Sequence, residues 1–224
     1  MQKDRRIRFI VGHYGSGKTE FSVNYAVKLA NLGKKVALVD LDVVNAYFRS
    51  REKARPLKEL GIKVISSGVE APTLDIPSIS AEILTPMQDR SYEAVIDVGG
   101  DSVGARTLGR YKEYLSGGNY DMFFVLNANR PETQTVQRAM EYLKSIEEVA
   151  RAKVTGIINN THMLKSTTTS DVLRGQTLAQ ELSKEAGIPI KYISVIEDIA
   201  NELPNNLEGE VFPITLYMRD EWMI

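Results

Sequence analysis

Short runs of β-branched and aromatic residues alternate along the chain with longer stretches whose apolar positions return every three or four residues. The short runs RFIVG, KVALVD, IKVIS, YEAVIDVG, DMFFVLNA, VTGIIN and IKYISV predict strands, and a late ITLYM predicts one more at an edge. Between them, TEFSVNYAVKLANLG, ARTLGRYKEYLSGG, PETQTVQRAMEYLKSIEEVA and DVLRGQTLAQELSKEAG predict helices. Two of these stop at a glycine, Gly33 and Gly187, and one opens with Pro131 at an expected first helical turn. In LKSTTTSD the expected helix cap is Ser170 or Asp171. Strand alternating with helix predicts an α/β fold of three layers, α/β/α, around a mostly parallel, roughly seven-stranded sheet. Neither a repeat nor a linker interrupts the pattern, so residues 1–224 are expected to form one domain.

Between the first strand and the first helix stands GHYGSGKTE. Gly12, four residues, then Gly17, Lys18 and Thr19 have the spacing of a phosphate-binding Walker A loop, in the strand-then-helix context that the motif requires. Glycines let successive backbone N–H groups point into one concavity, where they and the helix amino terminus hold phosphate oxygens. Lys18 is placed to reach the β and γ phosphates, and the Thr19 hydroxyl to ligate magnesium. The candidate nucleotide-binding run is therefore Gly12, His13, Tyr14, Gly15, Ser16, Gly17, Lys18, Thr19 and Glu20, weighed against a glycine-rich turn that binds nothing.

Two further strands end on carboxylates. KVALVD ends on Asp40 and delivers Asp42 just beyond it, at the edge of the sheet where α/β proteins bind ligands. One carboxylate can orient an attacking water and the other can hold magnesium; an Asp capping the following turn is the plainer alternative. YEAVIDVGG ends on Asp97, followed by Gly99 and Gly100, which permit a backbone N–H to approach a γ phosphate and withdraw when it leaves. Lys18, Asp42 and Asp97 are the candidate catalytic residues, and Thr19, Asp40 and Asp97 the candidate metal ligands.

Composition narrows the chemistry. Of 224 residues 43% are hydrophobic and 25% charged, and 28 basic side chains nearly cancel 29 acidic ones, so no global charge draws the chain to nucleic acid or an anionic membrane. With no cysteine, the chain by itself holds no disulfide, thiolate nucleophile or iron–sulfur cluster, which accords with a cytoplasmic protein. The apolar segment after MQKDRR is too short for a signal sequence, and no stretch approaches the roughly 20 apolar residues of a membrane helix.

Walker A on the first strand, Asp40-Leu41-Asp42 ending the next, and Asp97-Val98-Gly99-Gly100 resemble the MinD, ParA, CobQ and CobB group of P-loop proteins, within the SIMIBI class, over nearly the whole chain. The resemblance implies that Thr19 binds magnesium, Asp42 positions the hydrolytic water, and Asp97 supports the metal with help from Asp40. It also implies that Asn159 and Asn160, after VTGII, read the base, with Ile196 to Asp198 along its other side. Asn159-Asn160-Thr161-His162 is not the Asn-Lys-x-Asp signature usual in GTPases of the class, which favours ATP, with Mg2+, as the ligand. Where ParA and MinD proteins carry a signature lysine that crosses an ATP-bridged dimer, this chain has His13. Their dimer mechanism is therefore not carried over with the fold, and Tyr14 is expected to pack or to stack near the nucleotide.

Arg49, Arg51, Arg106 and Arg110 follow the two expected switch segments and are candidate anion contacts as well as ordinary exposed cations. His162 sits in a loop where it can help close a site, and LYMRDEWMI is expected to pack or make a subunit contact. Two functional classes stand: a nucleotide switch acting on a protein partner or a second copy, and an ATP-dependent small-molecule ligase or kinase like CobB and dethiobiotin synthetase. The lack of a separate substrate domain favours the switch. A nucleic-acid partner is disfavoured by the balanced charge.

Overall fold

The computed structural model describes residues 1, 3–42, 54–66, 81–100, 102–115 and 117–218. In chain order they form β1 (Ile7–Val11), α1 (Lys18–Asn31), β2 (Val36–Asp40), α2 (Ala54–Glu59), β3 (Lys63–Ser66), α3 (Thr85–Gln88), β4 (Glu93–Asp97) and α4 (Ser102–Thr107). There follow α5 (Lys112–Leu115), β5 (Asp121–Leu126), α6 (Val136–Ala150), β6 (Gly156–Asn159), α7 (Thr169–Ala186), β7 (Ile190–Ile196), α8 (Glu197–Ala200) and β8 (Glu210–Ile214). The strands make one sheet in the order β3-β2-β4-β1-β5-β6-β7-β8, and every pairing is parallel. Strand order reverses about β1, so the loops leaving the carboxyl ends of β1, β4 and β5 converge on one crevice.

Alternation along β1 builds the layers. Ile7, Phe9 and Val11 enter a core with Ala139, Met140 and Leu143 of α6 and Ala179 and Leu182 of α7. Ile10 points to the other face, where Phe21, Tyr25 and Ala26 of α1 pack. That second core is aromatic: Phe212 of β8 lies 5.0 Å from Phe21 and is stacked on Tyr25 at 5.8 Å, centroid to centroid. Burying Tyr25 and Tyr192 there leaves two hydroxyls to satisfy, and both donate to the Asp4 carboxylate. Lys191 completes the cluster 2.8 Å from the other Asp4 oxygen.

Four expectations change. The sheet has eight strands, the seven short runs and the edge strand, but that edge strand is EVFPI, ending where ITLYM was expected to begin. Pro213 is tolerated there because β8 is an edge strand with no ladder partner on its outer side. The helix expected from Pro131 starts at Val136, capped by Thr135, whose hydroxyl accepts from the Arg138 N–H. The cap of α7 is Thr168, two residues before Ser170. Its hydroxyl accepts from Asp171 N–H while the Asp171 carboxylate accepts from Thr168 N–H, a reciprocal pair in which Asp171 acts from the first turn rather than as the cap. The run around Arg106 breaks into α4, a 3-10 turn at Leu108–Tyr111 and α5, with Gly109 weakening the middle.

Burial alone would raise the Asp4 pKa, but bonds from Lys191, Tyr192 and Tyr25 outweigh it and hold the carboxyl below the ordinary aspartate range. A folded pKa below the unfolded one means that the stabilisation is present above the unfolded value and is lost as pH falls through the folded one. Asp4→Asn is expected to cost about 2 kcal/mol at neutral pH. The gap from wild type, measured by urea unfolding, should shrink steadily below about pH 4; a gap independent of pH would show that the charge of Asp4 is not what stabilises the cluster.

Candidate functional site

At the carboxyl end of β1 the chain turns through residues 12–17 and enters α1 with Gly17 at the cap position in a left-handed conformation. No side chain caps this helix, so its first amides face the crevice. A Cβ at Gly17 would lie 2.2 Å from Asn160 Nδ2, which explains the glycine: Asn160 fills that space and donates to the Ser16 carbonyl at 2.7 Å. Arg130 Nε donates to the Gly15 carbonyl at 2.8 Å and Lys18 Nζ to the His13 carbonyl at 3.1 Å. Ser16 is buried, and its hydroxyl has no hydrogen-bond partner among the described residues.

Behind the loop, Asp97 at the end of β4 accepts from Thr19 Oγ1 at 2.6 Å and from Ser22 Oγ at 3.3 Å. Complete burial pushes its carboxyl up to about 6, with the nearby Asp42 adding to the rise, against the pull of Lys18 and of the two hydroxyls. Asp40 is 1% exposed, and one of its oxygens accepts from the Asp42 N–H at 3.0 Å; that oxygen shapes the turn that presents Asp42. Asp42 itself lines the crevice. Gly100 closes over the loop: its carbonyl accepts from Tyr14 N–H at 3.1 Å and from the Tyr142 hydroxyl at 2.6 Å. A Cβ there would meet both Lys18 Nζ and Tyr14 N at 2.7 Å.

These elements bound a cavity of about 250 Å³. One end is polar, with Lys18, Thr19, Asp42 and Arg130; the other is apolar, with Leu164, Val195, Ile196, Ile214, Leu216 and Met218. Glycine loop, Thr19, Asp42 and Asp97 thus come together at one crevice. Asn160 and His162 line the cavity, but Asn159 does not: it is fully buried, donates to Val172 O and Gln176 Oε1, and ties β6 to α7. Glu20 reaches the cavity wall, with its carboxylate engaged by the Tyr217 and Met218 amides. His13 turns away from the cavity. Its ring stands edge-on to Tyr142 at 5.1 Å, and Nδ1 donates to Tyr14 O and lies 3.6 Å from Glu132.

Arg106 and Arg110 are exposed and do not line the cavity, while Arg49 and Arg51 lie outside the described residues. Sequence reasoning missed Arg130. The available signal was a cation in the loop after the buried strand DMFFVL, which pairs with β1 and so opens onto the same crevice.

Comparison with known proteins gives the arrangement a family. The profile of the CobQ/CobB/MinD/ParA nucleotide binding domain matches residues 10–202. The chain belongs to this family. It is a P-loop protein of the SIMIBI class, and the match spans the glycine loop, both aspartate strands and β6. An iron-sulfur cluster carrier protein of Bacillus subtilis is 38% identical over 68 residues, covering 25% of this chain and 19% of that protein. Among solved structures, the cell division protein FtsY of Thermotoga maritima is 22% identical with a TM-score of 0.57, over 88% of this chain and 64% of that one. The signal recognition particle receptor FtsY of Elizabethkingia anophelis, in complex with GDP, is 18% identical with a TM-score of 0.53, over 86% and 57%. These structural likenesses show the fold, and the chain spans less than two thirds of the length of each of these proteins.

Asp97 is fully buried, and burial raises its pKa, so its charged form carries a desolvation cost. Asp97→Asn keeps the shape and removes the charge, so the ligand-free variant is expected to melt a few degrees higher than wild type. Calorimetry without nucleotide checks it; a lower melting temperature would mean that the attraction of Lys18 and the bonds from Thr19 and Ser22 outweigh the burial cost.

Proposed function

We propose that the chain binds Mg-ATP at the glycine loop, hydrolyses it slowly, and presents its nucleotide state to a protein partner or a second copy of itself. The observation that carries this reading is the polar-to-apolar cavity: an end lined by Lys18, Thr19, Arg130 and the glycine loop, continuous with an apolar end suited to a base.

Among the described residues no three acidic or histidine side chains stand close enough to grip a metal by themselves. That suits magnesium delivered by the nucleotide, since Mg2+ keeps most of its waters and takes its other ligands from phosphates. The residues fit it: the Thr19 hydroxyl, held 2.6 Å from Asp97, would be the direct ligand, and Asp97 and Asp40 would bond to its waters. Bound there, magnesium would neutralise charge on the transferring phosphoryl group. Lys18 and the α1 amides bind and orient the phosphates, Arg130 supplies a second cation, and Asp42 orients a water and accepts its proton.

The switch reading draws on Gly100. Its carbonyl is bonded to the loop amide of Tyr14 and packed where a phosphate-bearing loop would need room, so loading the site has a mechanical consequence for the segment after β4 and for Tyr142 on α6. ATP is favoured over GTP by the missing Asn-Lys-x-Asp signature, although one FtsY relative holds GDP. The carrier function of the Bacillus relative does not come over directly, because this chain has no cysteine to hold a cluster. A second reading, phosphoryl transfer to a small-molecule acceptor, draws on a hollow beside His13 lined by Glu132, Arg138, Glu141, Tyr142 and Ser145.

Phosphate release from Mg-ATP and Mg-GTP, followed across a wide range of protein concentration, separates the readings. A specific rate that rises with concentration supports self-assembly, and a flat rate near zero with tight binding points to an activating partner or an acceptor. Lys18→Ala is expected to weaken triphosphate binding by at least about tenfold; affinity within a few-fold of wild type would count against the reading. Asp42→Ala should bind normally and lose about a hundredfold in turnover, and unchanged hydrolysis would remove Asp42 from the reaction.

A further inference from the structure

The chain leaves the sheet after Ile214, so the peptide groups of residues 215–218 no longer have a ladder to join. Helix α1 supplies partners instead. Asn24 clamps Thr215 from both sides, its Oδ1 accepting from Thr215 N–H at 2.8 Å and its Nδ2 donating to Thr215 O at 2.8 Å. One turn nearer the glycine loop, the Glu20 carboxylate accepts from Tyr217 N–H at 2.5 Å and from Met218 N–H at 3.1 Å. A glutamate at the third position of a helix ordinarily turns back to cap its own amino end; here the cap residue is Gly17, and Glu20 spends its carboxylate on a segment almost 200 residues away. With Thr215 and Tyr217 fixed through their backbones, the alternate residues Ile214, Leu216 and Met218 line the apolar end of the cavity.

We infer that residues 214–218 form a strap that is the base-side wall of the nucleotide cavity, and that Glu20 and Asn24 are positioning residues that hold it there. This rests on the nucleotide reading above and deepens it. The strap offers a purine aliphatic surface and a methionine thioether, a soft partner for an aromatic face, so it holds the base by shape and contact rather than by a hydrogen-bond code. Because Glu20 directly follows Lys18 and Thr19 on the same helix, the phosphate end and the base end of the site are set by one rigid element.

The test compares affinity for Mg-ATP with affinity for inorganic tripolyphosphate, which has phosphates but no base, in full-length wild type, Glu20→Ala, Glu20→Gln and Asn24→Ala. The ratio of the two affinities is expected to fall about tenfold in both alanine variants. Glu20→Gln removes the same charge but keeps an acceptor oxygen, and should hold the ratio near wild type. In parallel, hydrogen exchange without ligand should speed up at the Tyr217 and Met218 amides of Glu20→Ala. Equal losses for both ligands, or faster exchange with an unchanged ratio, would show that the strap is no part of the base site. Unchanged exchange would show that there is no latch. Wild type binding neither Mg-ATP nor Mg-GTP would take down the nucleotide reading itself, whereas normal wild-type binding with indifferent variants removes only the strap.

Discussion

The first amides of α1 have no acceptors within their own helix, and the rest of the site is arranged around that deficit. What makes the loop before them suited to an anion is the treatment of its carbonyls. Those of His13, Gly15 and Ser16 are taken up by Lys18, Arg130 and Asn160, donors that arrive from α1, from the loop after β5 and from the end of β6. Acceptors occupied by protein donors leave a concavity whose remaining polarity is donor-rich, the sign that phosphate requires. Three separate strands therefore have to end side by side for one short loop to work, and the parallel order about β1 is what aligns them.

Holding that geometry sets a burden on the core. Lys18 and Asp97 are both buried, and buried charge is costly unless it is paired and hydrogen-bonded. The Thr19 and Ser22 hydroxyls, one turn apart on α1, share the Asp97 carboxylate and so fix the helix against β4 at its most polar point. The opposite, aromatic face of α1 against Phe123, Tyr192 and Phe212 supplies the apolar burial that keeps it docked. Asp4 then answers the two hydroxyls which that aromatic packing buries.

How far the sequence disclosed this follows from what each feature depends on. Strands buried on both faces and helices with one apolar stripe leave local periodicities, so the α/β order and the glycine loop were legible. So were Asp42 and Asp97, because each directly follows or ends a strand whose apolar run is unmistakable. Caps were misplaced by a few residues because Thr168 and Asp171 act as a pair, whereas single-residue preference favoured their neighbours. Asn159 looked like a base reader by its place after β6, yet in a chain with two adjacent asparagines one side chain faces α7 and the other the loop, and only packing decides which. The strap was illegible for a further reason: Glu20 meets Tyr217 and Met218 through their backbones, which leave no trace in side-chain pattern.

The two ends of the cavity accordingly have different origins. The polar end is built mostly from consecutive residues on one turn, the glycine loop and the start of α1. The apolar end is assembled from Leu164, Val195, Ile196 and the strap, which are distant in sequence. His13 belongs to neither: it stands where a dimer-spanning lysine would in ParA-like relatives and spends its ring on Tyr142. Tyr142 in turn donates to the Gly100 carbonyl, so His13 is connected through one ring to the segment that follows β4. Family membership thus accounts for the glycine loop and the fold that carries it, while the apolar end and the link from His13 to Gly100 rest on contacts between residues distant in sequence.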